Sequence, residues 1–216
     1  MANPIQERIA KRAAQELVDG QIINLGIGIP TLVSQYVQHK KVYFHTENGM
    51  LGVEDLPEGQ VDPNLVNAGK LPVGEGIGAS YFHSADSFAM IRGGHVDVAI
   101  LGVLQVDEHA QIANWAVPGK TIIGVGGAMD LLVGAKKVIV TTNHTSKDGR
   151  SKILQTCTYP ITSTRAIDLI ITELAVFEFR EQTLHLIELM DGVSLEEVQQ
   201  KTEAHFVISL EQETVL

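Results

Sequence analysis

The sequence predicts an α/β fold: a mainly parallel central sheet flanked by helices, with a hairpin near the C-terminus. Short apolar runs of the kind that form buried strands alternate with segments of helical period, and this alternation is typical of parallel sheets. Two glycine-rich turns, at 26–28 and 124–127, each lead into a predicted helix. Because no linker, low-complexity tract or internal repeat interrupts the chain, we predict a single domain over residues 1–216.

The chain begins with a predicted helix at 3–19. Asn3 can cap this helix, Pro4 suits its first position, and Gly20 ends it. Apolar side chains recur every four residues along one face, at Ile5, Ile9, Ala13 and Leu17. A short apolar strand at 21–25, the first glycine turn and a helix from 31 to about 37 follow.

The remaining elements continue the same alternation. In chain order they are a strand at 41–45, a helix at 84–91, a strand at 96–101, a helix at 128–132, a strand at 138–142 and a helix at 163–171. The runs at 174–179 and 183–189 are expected to pair as a hairpin. Ser194 and Glu197 have the spacing of a capping box, which predicts a helix to about residue 202, before a last strand at 205–209.

The composition is that of an ordinary globular protein. Of the 216 residues, 44% are hydrophobic and 19% are charged, and the formal net charge is −10. The charges are spread along the chain without basic blocks, so we expect neither nucleic acid nor an anionic membrane as a partner. The N-terminus has no apolar signal-peptide core and no run of about 18 apolar residues occurs, so we expect a cytoplasmic protein.

The most informative motif is Glu47-Asn48-Gly49, directly behind the apolar strand at 41–45. A carboxylate at the end of a strand, followed by an amide and a glycine, lies at a chain reversal where backbone can approach a ligand closely. This position suits chemistry better than packing. Two functional interpretations follow from it.

The first interpretation is a dinucleotide site. A strand, the turn Gly26-x-Gly28, a helix, a second strand and then Glu47 approach the Rossmann pattern, in which the acid would bind an adenosine ribose. The third glycine position is Thr31, however, and Pro30 precedes it where helix and strand should pack closely. The fingerprint is therefore incomplete.

The second interpretation makes Glu47 a nucleophile. A glutamate is ionised at neutral pH, with an ordinary pKa of about 4.3, so it needs no base in order to attack a thioester. The oxyanion that develops needs preorganised donors, and the backbone N–H groups of the turn at 126–128 are a possible source. A plain strand-to-helix turn would have the same sequence, so this alternative stays open for the turn.

The other reactive side chains have ordinary explanations. The eight histidines form no HExxH motif and no i, i+4 pair, so we expect no metal site. Cys157 suits a small buried hydrophobe, and His45 suits a packing or surface role. Trp115 suits either the core or a ligand pocket, and Lys70 suits either solvent or a phosphate contact.

Seven motifs taken together resemble the B subunit of class I CoA-transferases, most of all the 3-oxoacid group, which includes the acetoacetate and succinyl-CoA enzymes. The motifs occur in order and cover nearly the full length of the chain. They are NLGIGIP (24–30), ENGMLG (47–52), NAG (67–69), SFAMIRGGHVD (87–97), NWAVPGK (114–120), GGAMDL (126–131) and ITELAVF (171–177).

The resemblance implies the open α/β fold of these enzymes and a covalent, ping-pong mechanism. In it, Glu47 would attack an acyl-CoA, and the released thiolate would convert the mixed anhydride into a glutamyl-CoA thioester. Gly127 is implied as a backbone oxyanion donor, and Asn24 and Lys70 are implied as CoA contacts. The other predicted CoA- and substrate-binding residues come from the same motifs: Gly26, Gly28, Asn48 and Gly126.

The resemblance also implies a partner. Family members pair this half with a homologous A subunit, so we expect an A2B2 hetero-oligomer that acts on acyl-CoA and short-chain carboxylic acids. CoA would be a substrate, and no cofactor is expected. One departure from the family is the acidic stretch at 53–59, which we expect to affect the choice of acyl group. The alternative is a non-catalytic module of the same fold that binds CoA, NAD or another nucleotide.

Overall fold

In a computed structural model of the protein, residues 3–55, 62–67, 70–120, 122 and 124–210 are described. They form two compact units: one comprises Met1–Gly102 and Gly126–Ile139, and the other comprises Val103–Val125 and Val140–Leu216. The sequence-based assignment of a single domain stays a prediction. Within the described ranges, no helix is both long and apolar enough to cross a membrane.

The elements have the following bounds. The helices are α1 (Pro4–Gln15), α2 (Ser84–Arg92), α3 (Ala128–Gly134) and α4 (Leu195–Lys201), with a 3-10 helix at Ile29–Tyr36. The strands are β1 (Ile22–Leu25), β2 (Tyr43–Thr46), β3 (Met50–Glu54), β4 (Gly74–Tyr81), β5 (Val98–Gly102), β6 (Gln105–Asp107), β7 (Ile112–Ala113), β8 (Lys137–Thr141), β9 (Ile153–Leu154), β10 (Leu169–Ile171), β11 (Ala175–Arg180), β12 (Thr183–Leu189) and β13 (Val207–Ile208).

The sheet of the first unit has the strand order β4-β3-β2-β1-β5, and β8 lies beside β5. β1 pairs in parallel with both β2 and β5, so that Asn24 lies opposite His45 on one side and Ala99 on the other. β3 and β4 add to β2 in the antiparallel sense. The predicted α/β class, with a parallel sheet centre and flanking helices, is confirmed.

Helix α1 has the N-terminal cap that the sequence predicted. The side chain of Asn3 accepts a hydrogen bond of 3.0 Å from the N–H of Ile5, as a cap should. Ile9, Ala13 and Leu17 are fully buried. The helix ends at Gln15, earlier than the predicted residue 19, and packs against the 3-10 helix.

The second unit contains the C-terminal hairpin. β11 and β12 pair in the antiparallel sense, β10 lies beside β11, and β13 lies beside β12, so the predicted hairpin is confirmed. A small sheet has the order β7-β6-β9. At the start of α4, Ser194 Oγ accepts a 3.1 Å hydrogen bond from the N–H of Glu197, which confirms this cap.

Two predictions of secondary structure were wrong or incomplete. The predicted helix at 163–171 is absent; the stretch is irregular and ends in strand β10. All three β10 residues are buried, and a short apolar run buried on both faces fits a strand as well as a helix by period alone. Strands β3, β4, β6, β7 and β9 were not predicted; β4 is mostly exposed and contains three glycines, which are rare in strands.

Candidate active site

Glu47 lies at the turn between β2 and β3, as the motif predicted. The turn depends on Gly49, whose φ of +118° is open only to glycine. A Cβ at Gly49 would also collide with the backbone carbonyl oxygen of Phe82. The N–H of Phe82 donates to the Gly49 carbonyl at 3.0 Å, and the N–H of Gly49 donates to the Thr46 carbonyl at 3.1 Å. These contacts fix the backbone on which Glu47 is carried.

The side chain of Glu47 lies directly on Gly127, the residue that precedes α3. A Cβ placed on Gly127 would be 2.8 Å from Glu47 Cγ, 3.3 Å from Cδ and 3.6 Å from Oε1. Gly127 therefore leaves the space that the carboxylate occupies. Glu47 and Gly127 lie far apart in the sequence, and both were predicted as site residues. The fold brings them into contact.

A cavity of about 50 Å³ lies beside Glu47. Because one water needs about 10–15 Å³ by this measure, the cavity has room for a few waters or for the reacting end of a ligand. Its apolar wall is formed by Leu25, Phe44, Val53 and Val73.

Two buried polar atoms of the cavity lining lack a hydrogen-bond partner among the described residues: Asn24 Oδ1 and Thr46 Oγ1. An unsatisfied buried polar group costs about 1–3 kcal/mol, which a bound ligand can recover. The amide oxygen is an acceptor, whereas the hydroxyl can donate.

The charge state of Glu47 reflects opposing effects. Burial raises the pKa of Glu47 above its ordinary value, whereas hydrogen bonds from its own backbone N–H and from the Asn24 side chain oppose this rise. The net direction is upward. Glu47 is therefore a half-buried carboxylate whose charge is incompletely compensated, and perturbed carboxylates of this kind are common at catalytic sites.

This raised pKa predicts a stability penalty. In the unfolded chain Glu47 releases its proton near pH 4.5, and in the folded chain it does so only at higher pH. The folded state binds more protons in this window, so its free energy of unfolding falls as the pH rises through it, and the penalty is complete above it. We expect Glu47→Gln to unfold at a higher temperature than the wild type at about pH 7.

Thermal unfolding at a series of pH values checks this expectation. The gap between variant and wild type should close as the pH is lowered below 4.5, the pKa of Glu47 in the unfolded chain. Replacing the exposed carboxylate of Glu203 with glutamine serves as the control, and it should show no such gap. A Glu47→Gln variant that is less stable at neutral pH would contradict the expectation.

His45 and Ser87 extend the site beneath Glu47, and sequence reasoning missed this. Both are buried, with 2% and 0% of their surfaces exposed. The imidazole Nε2 lies 2.9 Å from Ser87 Oγ, and Nδ1 lies 3.3 Å from Asn24 Nδ2. A polar residue two positions before Glu47, in the strand that leads to it, was the available signal.

The other predicted binding residues lie outside the cavity lining. Gly28, directly before the 3-10 helix, has a φ of +93°, and a Cβ on Gly26 would lie 3.3 Å from the Ile100 carbonyl oxygen, so both have structural reasons to be glycine. Asn48 and Lys70 are exposed. Gly126, also exposed, supplies a φ of +56° just before Gly127, and the neighbours of Lys70 at 68–69 lie outside the described residues.

The remaining candidates are not part of this site. Burial raises the pKa of Cys157 to about 12, so its thiol stays protonated and unreactive at neutral pH. Trp115 lies in the second unit, where its indole N–H donates to the Ile161 carbonyl at 3.4 Å. Over the part of the chain that the structure describes, no group of three His, Cys, Asp or Glu side chains could hold a metal ion. Of the acidic stretch, 56–59 lie outside the described residues.

Comparison with known proteins identifies relatives over nearly the whole chain. A family model described as Coenzyme A transferase matches residues 6–201. The chain is 52% identical to the B subunit of succinyl-CoA:3-ketoacid coenzyme A transferase from Helicobacter pylori (strain ATCC 700392 / 26695), over 95% of this chain and 100% of the relative. It is 50% identical to the beta subunit of acetate CoA-transferase from Escherichia coli (strain K12), over 97% of this chain and 96% of the relative.

A solved structure agrees with these relatives. An acyl-CoA transferase from Escherichia coli O157:H7 is similar with a TM-score of 0.77 and 25% sequence identity. The match covers 99% of this chain but only 44% of that longer chain.

Proposed function

The chain belongs to the coenzyme A transferase family, and from this we propose that it transfers CoA between a short-chain acyl-CoA and a 3-oxoacid or another short-chain carboxylic acid. It would act as the B subunit of a 3-ketoacid or acetate type enzyme, the class to which relatives about half identical to it belong by name. CoA is then a substrate, and no cofactor is involved. The observation that carries the proposal is the Glu47 side chain lying on Gly127 beside a small cavity.

In the proposed mechanism, a carboxylate oxygen of Glu47 attacks the acyl carbonyl carbon of the donor acyl-CoA. The C–S bond breaks, and the thiolate leaves with the electron pair, which produces a mixed anhydride. The thiolate then attacks the glutamyl carbonyl and releases the donor acid as its carboxylate. The acceptor carboxylate reverses these steps on the glutamyl-CoA thioester, so no net proton is consumed.

Gly127 has two roles in this proposal. Its lack of a side chain leaves room for the Glu47 carboxylate, and its backbone N–H is assigned as a donor to the oxyanion that develops during attack. Preorganised donors of this kind stabilise charge that exists only in the transition state, so they increase the rate without tightening substrate binding.

The unsatisfied atoms of Asn24 and Thr46 suit the arm of CoA. That arm contains secondary amides, which present one N–H and one C=O each. Asn24 Oδ1 would accept from the amide N–H, and Thr46 Oγ1 would donate to the carbonyl. Lys70, which is exposed, is proposed to meet the phosphates at the far end of the molecule.

We propose that an A subunit completes the enzyme as an A2B2 heterotetramer. The relatives are named as B or beta subunits, each of which is one part of a multi-subunit enzyme. Three apolar side chains, one on the first glycine turn and two on α3, are exposed, namely Ile27 at 67%, Met129 at 41% and Val133 at 68%. Covering them would bury apolar surface and exclude water from the hydrolysable intermediates. The cytoplasmic location stays a prediction.

Reconstitution tests the proposed function. The chain is co-expressed with an A-type chain, and acetoacetyl-CoA and acetate are varied together while initial rates are measured. Parallel double-reciprocal plots, and exchange of labelled acetoacetate into acetoacetyl-CoA without an acceptor, are expected for a covalent intermediate. Tight CoA or NAD binding without any transfer would support the non-catalytic module instead.

The acidic side chains of the cavity predict a substrate preference. Glu54 and Asp55 line the cavity, and none of the described lining residues is a lysine or arginine. A second carboxylate on the acyl group, as in succinyl-CoA, would therefore meet like charge without a partner. We expect the Glu54→Gln, Asp55→Asn double variant to improve kcat/KM for succinyl-CoA relative to acetoacetyl-CoA by about tenfold, equal to roughly 1.4 kcal/mol.

Steady-state kinetics with both substrates measures this preference. Glu75→Gln is a suitable control, because Glu75 is an exposed carboxylate on β4 that does not line the cavity. An unchanged ratio in the double variant would show that the acidic side chains do not select the acyl group.

A further inference from the structure

We infer that His45 is a positioning residue that acts through Asn24: it fixes the Asn24 side-chain amide so that one of its N–H groups faces the carboxylate of Glu47. The inference rests on the proposed function of Glu47. It is drawn from a chain of buried hydrogen bonds that joins β1, β2 and α2, in which the direction of each bond can be deduced.

The deduction starts from the backbone carbonyl of His45, which can only accept. Asn24 Nδ2 lies 3.1 Å from this oxygen, so the amide nitrogen, and not the amide oxygen, must be at this position. The same nitrogen lies 3.3 Å from the imidazole Nδ1 of His45. Because the amide nitrogen of Asn24 can only donate, the imidazole Nδ1 of His45 must be unprotonated and must act as the acceptor.

The proton of the neutral imidazole is then on Nε2. This nitrogen lies 2.9 Å from Ser87 Oγ, which therefore accepts. The Ser87 hydroxyl is left free to donate to the Thr46 carbonyl, at 3.1 Å. All three side chains are at most 2% exposed, so water does not compete for these bonds. The Phe82 ring stacks on the imidazole with 6.0 Å between centroids and restricts its rotation.

The consequence for Glu47 follows from counting amide hydrogens. Asn24 has two N–H groups, and we assign one of them to both His45 acceptors, the carbonyl oxygen at 3.1 Å and Nδ1 at 3.3 Å, as a three-centre bond. The other is available to Glu47, whose pKa the Asn24 hydrogen bond lowers. The Asn24 oxygen then has no partner among the described residues.

The opposite tautomer would undo this arrangement. With a proton on Nδ1, two donors would face each other, and the Asn24 amide would turn and present its oxygen to the Glu47 carboxylate. Burial lowers the pKa of His45 to about 4, so the ring is neutral at ordinary pH, and Ser87 selects which neutral form is present.

The pH dependence of kcat/KM in the reconstituted enzyme tests the inference. Glu47 must be ionised to attack, so its pKa contributes an acidic limb to the profile. In His45→Leu and Ser87→Ala we expect this limb to move upward by about one pH unit, which is about a tenfold loss of kcat/KM on the limb. His45→Asn, which retains an acceptor near the position of Nδ1, should move it less.

His144 provides a matched control. It is also fully buried, its ring nitrogens lie 3.0 and 2.9 Å from the hydroxyls of Thr172 and Thr202, and burial likewise lowers its pKa to about 4. It belongs to the second unit. His144→Gln should reduce stability and leave the acidic limb in place.

An unmoved limb in both His45→Leu and Ser87→Ala, with activity reduced only in proportion to folded protein, would overturn the inference. If His45→Leu does not fold, Ser87→Ala decides alone. Nitrogen-15 chemical shifts of the His45 ring add a readout independent of activity, and a proton on Nδ1 would also overturn the inference. Absence of CoA transfer by the wild type would instead refute the proposed function and leave this tautomer measurement valid.

Discussion

Glu47→Gln is expected to lower kcat for CoA transfer by at least about 10⁴-fold, the size of loss typical when a covalent nucleophile is removed. The amide retains the shape and the hydrogen-bonding capacity of the side chain but cannot form the anhydride. Glu47→Asp should lose about 10²-fold or more, because withdrawing the carboxylate by one methylene moves it out of attack distance from a carbonyl held by the remote parts of CoA. Initial rates with acetoacetyl-CoA and acetate measure both losses.

A loss of activity caused by misfolding must be distinguished from a loss caused by removal of the nucleophile. Glu75→Gln removes an exposed carboxylate from the same unit and should retain full activity. Circular dichroism should show intact Glu47→Gln protein, since this change also removes a buried charge. Turnover by a folded Glu47→Gln enzyme at more than a small fraction of the wild-type rate would exclude Glu47 as the nucleophile.

Gly127→Ala is expected to reduce kcat/KM by about 10²-fold without unfolding the protein. The new Cβ would lie 2.8 Å from Glu47 Cγ, which is closer than such atoms approach, so the carboxylate must shift. A displacement of about 1 Å at a reacting group costs roughly that factor. The backbone itself accepts alanine, because Gly127 has φ −81° and ψ 1°.

Gly20→Ala is the matched control, and it is expected to reduce stability while leaving activity unchanged. Gly20 has φ +87° and no atom within 4 Å of an added Cβ, so alanine there strains the backbone by about 1–2 kcal/mol and touches nothing. Its unfolding temperature should fall while activity per folded molecule stays normal. Equal kcat/KM in Gly127→Ala and the wild type would show that the contact with Glu47 has no part in catalysis.

Local signals in the sequence predicted much of the fold. The cap at Asn3, the four-residue period of α1 and the capping box at Ser194 involve neighbours within one or two turns, so they can be read without tertiary information. The segment at 163–171 could not be assigned in this way. Its last three residues, Leu169–Ile171, form a strand because they pair with β11, and that pairing is not visible in the period of the run.

The site was predictable in part for the same reason. The position of Glu47 behind a strand and before a glycine is local, whereas its contact with Gly127 depends on the fold and was anticipated only through the resemblance to a family. The interaction of His45 with Asn24 and Ser87 depends on the register of β1 against β2 and on the position of α2. No pattern in the sequence marks these three residues as one network.

The most direct test is to identify the residue that carries CoA during turnover. The reconstituted enzyme is mixed with acetoacetyl-CoA and quenched rapidly, and the mass of the intact chain is measured. A mass increase equal to CoA less one water is expected, and after treatment with borohydride or hydroxylamine the modification should map to Glu47. Active enzyme that carries the label at another residue, or that turns over without any adduct, would contradict the covalent role of Glu47.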